Sequence, residues 1–161
     1  MKNYFIIITL LISVLANAQC DIKTNNRPDG NTIKYFNPKP VIRQSNYEVG
    51  VAIYKNETTN KFMVGLSVLF VGIRPMDVTG DLTIQNTSQK SIVLKLINSN
   101  QIKMNGRDLT VALFELDNTS KKILESNSLK SMFFKMNGKI NGATITENKN
   151  IFINEIKCFN N

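Results

Sequence analysis

The chain has 161 residues, 42% of them hydrophobic and 20% charged, which is enough apolar material for one buried core and too little charge for an extended, disordered chain. There is no histidine, so Ser-His-Asp and Cys-His catalysis, His-ligated zinc and imidazole proton transfer are excluded. A net charge of +8 favours anionic partners, but the basic residues are dispersed, Lys121-Lys122 being the only adjacent pair, so no nucleic-acid partner is expected.

At the start of the chain, Lys2 precedes the apolar run Phe5 to Leu15, and Ala16-Asn17-Ala18 supplies an A-x-A cleavage site. Residues 1–18 therefore read as a secretory signal peptide, and 19–161 as a single β-rich domain of an exported protein, periplasmic or secreted. The apolar run is far shorter than the roughly 20 residues a spanning helix needs, so no transmembrane segment is expected. Cys20 and Cys158 are the two cysteines, one near each end of the exported part, and a disulfide between them is the economical reading. Lipid anchoring at Cys20 is the alternative, and Gln19, where a small residue is wanted, speaks against it.

From Cys20 to Asn46 the chain is rich in turns. Arg27-Pro28-Asp29-Gly30 fits a type I turn, Asn37-Pro38-Lys39-Pro40 favours extended backbone, and a short strand fits Thr32 to Phe36. Tyr47, Val49, Val51 and Ile53 then alternate, Asn56 to Asn60 breaks the run, and Lys61 to Val71 follows as the second arm of a hairpin. That arm is apolar on both faces, with Gly65 and Ser67 the small residues of one of them. It predicts a central strand covered on both sides, with Ser67 facing a core.

A second hairpin fits Gly80 to Gln85 and Ser91 to Ile97 around the polar break 86–90. Asn105-Gly106 and Asn137-Gly138 are two-residue turn dipeptides, next to the alternating segments Leu109 to Leu116 and Met132 to Met136. Two stretches read as helical. Ser120 caps a short turn over Lys121 to Ser126, and Thr144 or Thr146 caps a helix from Glu147 to Phe159 with Ile151, Phe152, Ile156 and Phe159 on one face; strand is the competing reading there, since Phe152, Ile156 and Cys158 also fit a period of two that Asn154 interrupts. That C-terminal helix is a source of cover for the two-faced strand.

Few residues could carry chemistry. Glu115 and Asp117 are two apart in an expected strand, which would aim both carboxylates to one side as a glycosidase requires, although a solvated strand end explains them as well. Asp77 and Asp81 flank a glycine, but a calcium loop needs more oxygen ligands. Gly65-Leu66-Ser67 begins like a nucleophile elbow and lacks its second glycine. There is no Ser-x-x-Lys, P-loop or dinucleotide-binding glycine pattern, so no catalytic, cofactor or metal residues are assigned.

The leader followed by Cys20-Asp21 and Arg27-Pro28-Asp29-Gly30, with Asn37-Pro38-Lys39-Pro40, Gly80 to Ile84 and the ending Asn148 to Phe159, resembles a group of small exported bacterial proteins of unknown function. The resemblance implies only that the cysteines and the Arg27–Gly30 turn belong to the scaffold. The fold expected is mainly β, with seven or eight antiparallel strands in a sandwich or strongly curved sheet plus a short C-terminal helix; a two-layer α+β arrangement is the alternative. The function expected is a non-catalytic binding module for an envelope or extracellular macromolecule. A carrier of a small apolar ligand, built on the strand Lys61 to Val71, is the alternative, and a His-free hydrolase comes third.

Overall fold

A computed structural model describes residues 20–160. The expected leader, 1–18, and Gln19 lie outside them. The architecture is mainly β: two antiparallel sheets, the larger strongly curled, with two short helices. Among the described residues eleven strands form, more than the seven or eight expected, because polar segments without a clear alternation also pair.

The larger sheet contains β1 (Lys23–Asn26), β2 (Thr32–Tyr35), β4 (Tyr47–Asn56), β5 (Lys61–Phe70), β9 (Arg107–Leu116) and β8 (Leu96–Met104) in that spatial order, and β3 (Lys39–Arg43) also pairs with β4. The smaller sheet is ordered β11 (Lys139–Thr144), β10 (Leu129–Met136), β6 (Val78–Asn86), β7 (Ser91–Leu94). The predicted hairpin of β4 and β5 forms, paired from Tyr47↔Phe70 to Asn56↔Lys61, and β5 is central, between β4 and β9. Both Asn-Gly turns form as two-residue connections. Asn105 and Gly106 have φ of 51° and 75°, Asn137 and Gly138 48° and 73°, the double positive φ that matches hairpin twist.

The stretch expected as one strand from Ser91 to Ile97 is broken. It leaves the smaller sheet after Leu94, and Leu96 begins β8 at the edge of the larger sheet. Between Leu96 and Asn98 the register with β9 shifts by one, so Ile97 is a bulged residue, and a bulge of this kind bends and twists a strand.

The smaller sheet packs on one face of the larger, and this interface is the core. Val49, Val51, Ile53, Val64, Leu66, Val68, Ala112 and Phe114 are each 0% exposed there, as are Leu82, Ile84 and Met132 opposite them. Burying one such aliphatic or aromatic side chain contributes about 1.5–3 kcal/mol. Tyr47 meets Phe134 edge-on, ring centroids 6.5 Å apart, at the end of the sheet that the smaller sheet covers.

At the opposite end the helices take over. Helix α1 (Asn118–Ser126) contributes Leu124 and α2 (Ile151–Asn160) contributes Ile151, Phe152 and Ile156 to the core, while Phe159 packs edge-on against Phe62 (5.8 Å) and Phe36 (5.2 Å). Two expected caps are corrected. Asp117, not Ser120, caps α1, its Oδ1 accepting the Thr119 and Ser120 amides at 2.8 and 2.9 Å, which satisfies two of the donors a helix start leaves unpaired. Helix α2 begins at Ile151, later than Glu147, because Thr144 still belongs to β11 and the chain runs irregularly from 145 to 150.

Cys20 and Cys158 form a disulfide, 138 residues apart in sequence with Cα atoms 5.8 Å apart. It ties the start of the described chain to α2, and a loop this long gives an entropic stabilisation of at most about 4–5 kcal/mol. A thioether lipid would need the same Cys20 sulfur. Among the described residues no helix is long and apolar enough to cross a membrane.

Candidate functional site: a groove on the open face of the curled sheet

In a strand, successive side chains alternate between faces, so the residues between the core positions of β4, β5 and β9 point the other way. These are Gly50 and Tyr54 on β4, Met63, Ser67 and Leu69 on β5, and Leu109, Val111 and Leu113 on β9. Among the described residues no second sheet covers them. The sheet instead curls around this face, so that Asn25 of β1 and Ile33 and Tyr35 of β2 form one wall, and Asn98, Asn100, Ile102 and Met104 of β8 form the other. The enclosed groove has a volume of about 920 Å³.

The expectation that β5 is covered on both faces is therefore half right. The helix α2 lies on the same side as the smaller sheet, against Phe62 and Phe36, and leaves the Met63–Leu69 face open. Ser67 likewise faces the groove and not the core; its hydroxyl donates to the Gly50 carbonyl at 3.3 Å, within the floor.

The floor is shaped by an aromatic pair. Tyr35 and Tyr54 stack with centroids 5.4 Å apart and planes 8° from parallel, and Tyr54 lies flat over Gly65, where any β-carbon would collide with its ring. Burial, reinforced by the Tyr35 and Glu155 charges, pushes the Tyr54 phenol up to about 12, so it stays protonated as a neutral polar group.

The groove lining holds two charged residues, Arg27 and Glu48. Glu48 is paired with Arg43, whose Nε also donates to Glu147 Oε1 at 2.7 Å.

The carboxylates singled out from sequence are not brought together here. Glu115 is exposed, one residue before the end of β9, and Asp117 is turned back onto the start of α1, where the Ser120 hydroxyl and the backbone amides hold its carboxyl below the usual carboxylate range. Two-residue spacing points side chains to one side only while the strand continues, and β9 ends at Leu116. Asp77 accepts a hydrogen bond from Gln101 at 2.8 Å, and Asp81 is paired with Lys95 at 2.6 Å, its carboxyl lowered by that contact. Among the described residues no cluster of three or more acidic or cysteine side chains is placed to hold a metal ion.

One unusual group was not singled out from sequence. Glu155 of α2 is 3% exposed, its Oε2 accepting the Ile53 amide of β4 at 2.6 Å while Oε1 has no partner. The partner edge of β4 switches there from β2, which ends at Tyr35, to β3, which begins at Lys39, so the Ile53 N–H has no strand to bond. Burial pushes the Glu155 carboxyl up to about 8, against the smaller pull of the Ile53 N–H and Lys39. The pattern did contain it. Glu155 is four residues from Ile151 and three from Phe152, squarely on the apolar stripe of the expected helix.

Comparison with protein-family models, curated proteins and solved structures finds no match to this chain.

Proposed function

We propose that this chain is an exported binding protein that carries a small, mostly apolar ligand in the groove of its curled sheet. The observation that carries the reading is the groove itself: about 920 Å³, apolar along its floor and walled by strands on both sides, within the ~300–1,000 Å³ typical of small-molecule sites. A floor at the bottom of a trough is reached by a slender molecule more readily than by a flat protein surface. Export is supported by the Cys20–Cys158 disulfide, a bond that persists in oxidising compartments, and by the leader pattern of residues 1–18.

Binding of a neutral apolar fluorophore, N-phenyl-1-naphthylamine, tests this. Saturable enhancement near one dye per chain is expected, and Val111→Lys, which places a charge on the floor, should weaken it at least tenfold while unfolding in urea shows the variant folded. Unchanged dye affinity in the folded variant overturns the proposal.

One observation favours the second reading, a macromolecular partner. Ile97, Ile102 and Met104 on the edge strand β8 are 52%, 43% and 52% exposed, an apolar rim along a free strand edge.

A further inference from the structure

The two ends of the groove differ, and the difference specifies the shape of a ligand. This step rests on the groove being the ligand site. At one end, beyond the Asn25↔Ile33↔Asn56 row, lie Arg27 and the side chains of Asn25 and Asn56. The other end, where β4 begins and β5 finishes, is lined by Pro38, Pro40, Leu69, Leu109, Ile102 and Met104. One end therefore carries two amides and a guanidinium, and the other is mostly apolar, with Glu48 and Asn37, next to Pro38, as polar lining.

The two charges lining the groove are also unequal. Glu48 is neutralised by Arg43, itself shared with Glu147. Arg27 forms no ion pair among the described residues: the acid of its own turn, Asp29, spends its Oδ1 on the Asn31 amide at 3.0 Å, and Glu57 is taken by Lys55 at 3.0 Å and Lys34 at 3.7 Å. A guanidinium offers five donors in a planar fork suited to a carboxylate or phosphate. Its charge is offset only at longer range, by Asp29 of the same turn, so at the polar end of the trough it has a direct partner still to take, an anion with a hydrocarbon tail.

We propose that the groove binds a single-chain anionic amphiphile, its carboxylate or similar head at Arg27 and its chain running over Met63 and Leu113 toward Leu69 and Leu109. The head meets Arg27 near the surface, where water screens it, so its contribution to affinity is modest; the chain supplies most of the affinity by burial and Arg27 fixes the orientation.

The test uses the mature, oxidised protein at pH 8 with dodecanoate and 1-dodecanol, each below its aggregation threshold, displacing the naphthylamine dye. Dodecanoate should bind about five- to tenfold tighter than dodecanol. Arg27→Gln should remove that preference and leave dodecanol affinity unchanged, whereas Lys122→Gln on the exposed face of α1, which lowers the net charge equally, should preserve it. Equal affinities for acid and alcohol in the parent protein, or a preference that survives Arg27→Gln or falls equally in Lys122→Gln, overturns the headgroup assignment and leaves the groove reading standing. Failure of both chains to displace the dye overturns the assignment together with the groove reading.

Discussion

The two faces of the central strands β4, β5 and β9 are made by alternate residues of the same segments, yet they do opposite work. On one, Val64, Leu66 and Phe114 are fully buried against the smaller sheet and the helices; on the other, Met63, Leu69, Val111 and Leu113 are only half covered, by the curl of their own sheet. Apolar composition is therefore a poor guide to which face is the core. What separates them is a second layer, and the open face keeps an apolar surface that water wets at a cost of about 25 cal/mol per Å². A folded chain that leaves such a surface in a walled trough stands to gain by filling it.

The largest effect expected from that contrast comes from truncating neighbours on opposite faces. Phe114→Ala removes a fully buried ring and should cost about 3–5 kcal/mol, whereas Leu113→Ala, one residue away, removes a half-covered side chain and should cost about 1 kcal/mol or less. Urea unfolding gives both values, and dye binding should show the inverse ranking in ligand affinity among variants that remain folded. Similar losses of stability from the two would mean that the groove is closed by protein in solution.

The core face also holds the one acid that α2 buries, and pH separates its contribution. The Glu155 carboxyl is raised in the fold from its ordinary value of 4.5 to about 8. Between those values the folded protein holds a proton that the unfolded chain has released, so the stability contributed by the neutral carboxyl is full below pH 4.5 and is lost as pH rises to about 8. The slope is at most about 1.4 kcal/mol per pH unit, and a total on the order of 3 kcal/mol is expected. Glu155→Gln keeps an acceptor for the Ile53 amide without the charge. Its stability should lose this slope and exceed that of the parent protein at pH 8, and parallel curves for the two proteins between pH 5 and 8 would refute the assignment. Groove variants such as Leu113→Ala should leave the slope untouched.

How far the residues announce this structure depends on how local the determining physics is. The hairpin of β4 and β5 and both Asn-Gly turns were legible, because alternation and positive-φ tolerance act within a few residues. The cysteine pair was legible by count and compartment. Strand β8 was not, since Asn98, Ser99, Asn100 and Gln101 carry no alternation and are held by pairing to β9 and by contacts such as Ser99 Oγ accepting the Val78 amide at 3.2 Å. The groove was half legible. Two apolar faces on Lys61 to Val71 were visible, but whether a layer covers the second face depends on where α2 docks, a long-range outcome fixed by Phe159 meeting Phe36 and Phe62. Glu155 could have been found, as a charge on an apolar helical stripe; its partner, an N–H stranded between β2 and β3, could not.

The smallest change is also the most selective for the open face. Gly65 sits on β5 beneath Tyr54, and a β-carbon there would strike the ring, while the core side of the same position is untouched. Gly65→Ala must lift Tyr54 from the floor and disturb its stack on Tyr35, and overpacking of this kind costs about 1–3 kcal/mol. Because the displaced ring can swing into the open groove and not into a packed core, the cost should fall at the low end, about 1 kcal/mol. The ring would then occupy space that the ligand chain needs, so affinity for the dye should fall several-fold more than stability alone would suggest, and Gly65→Ala/Tyr54→Ala should recover it. If the single substitution lowers stability by 3 kcal/mol or more and leaves dye binding unchanged, the tyrosine pair is part of the closed core, and the division between the two faces lies elsewhere than at β5.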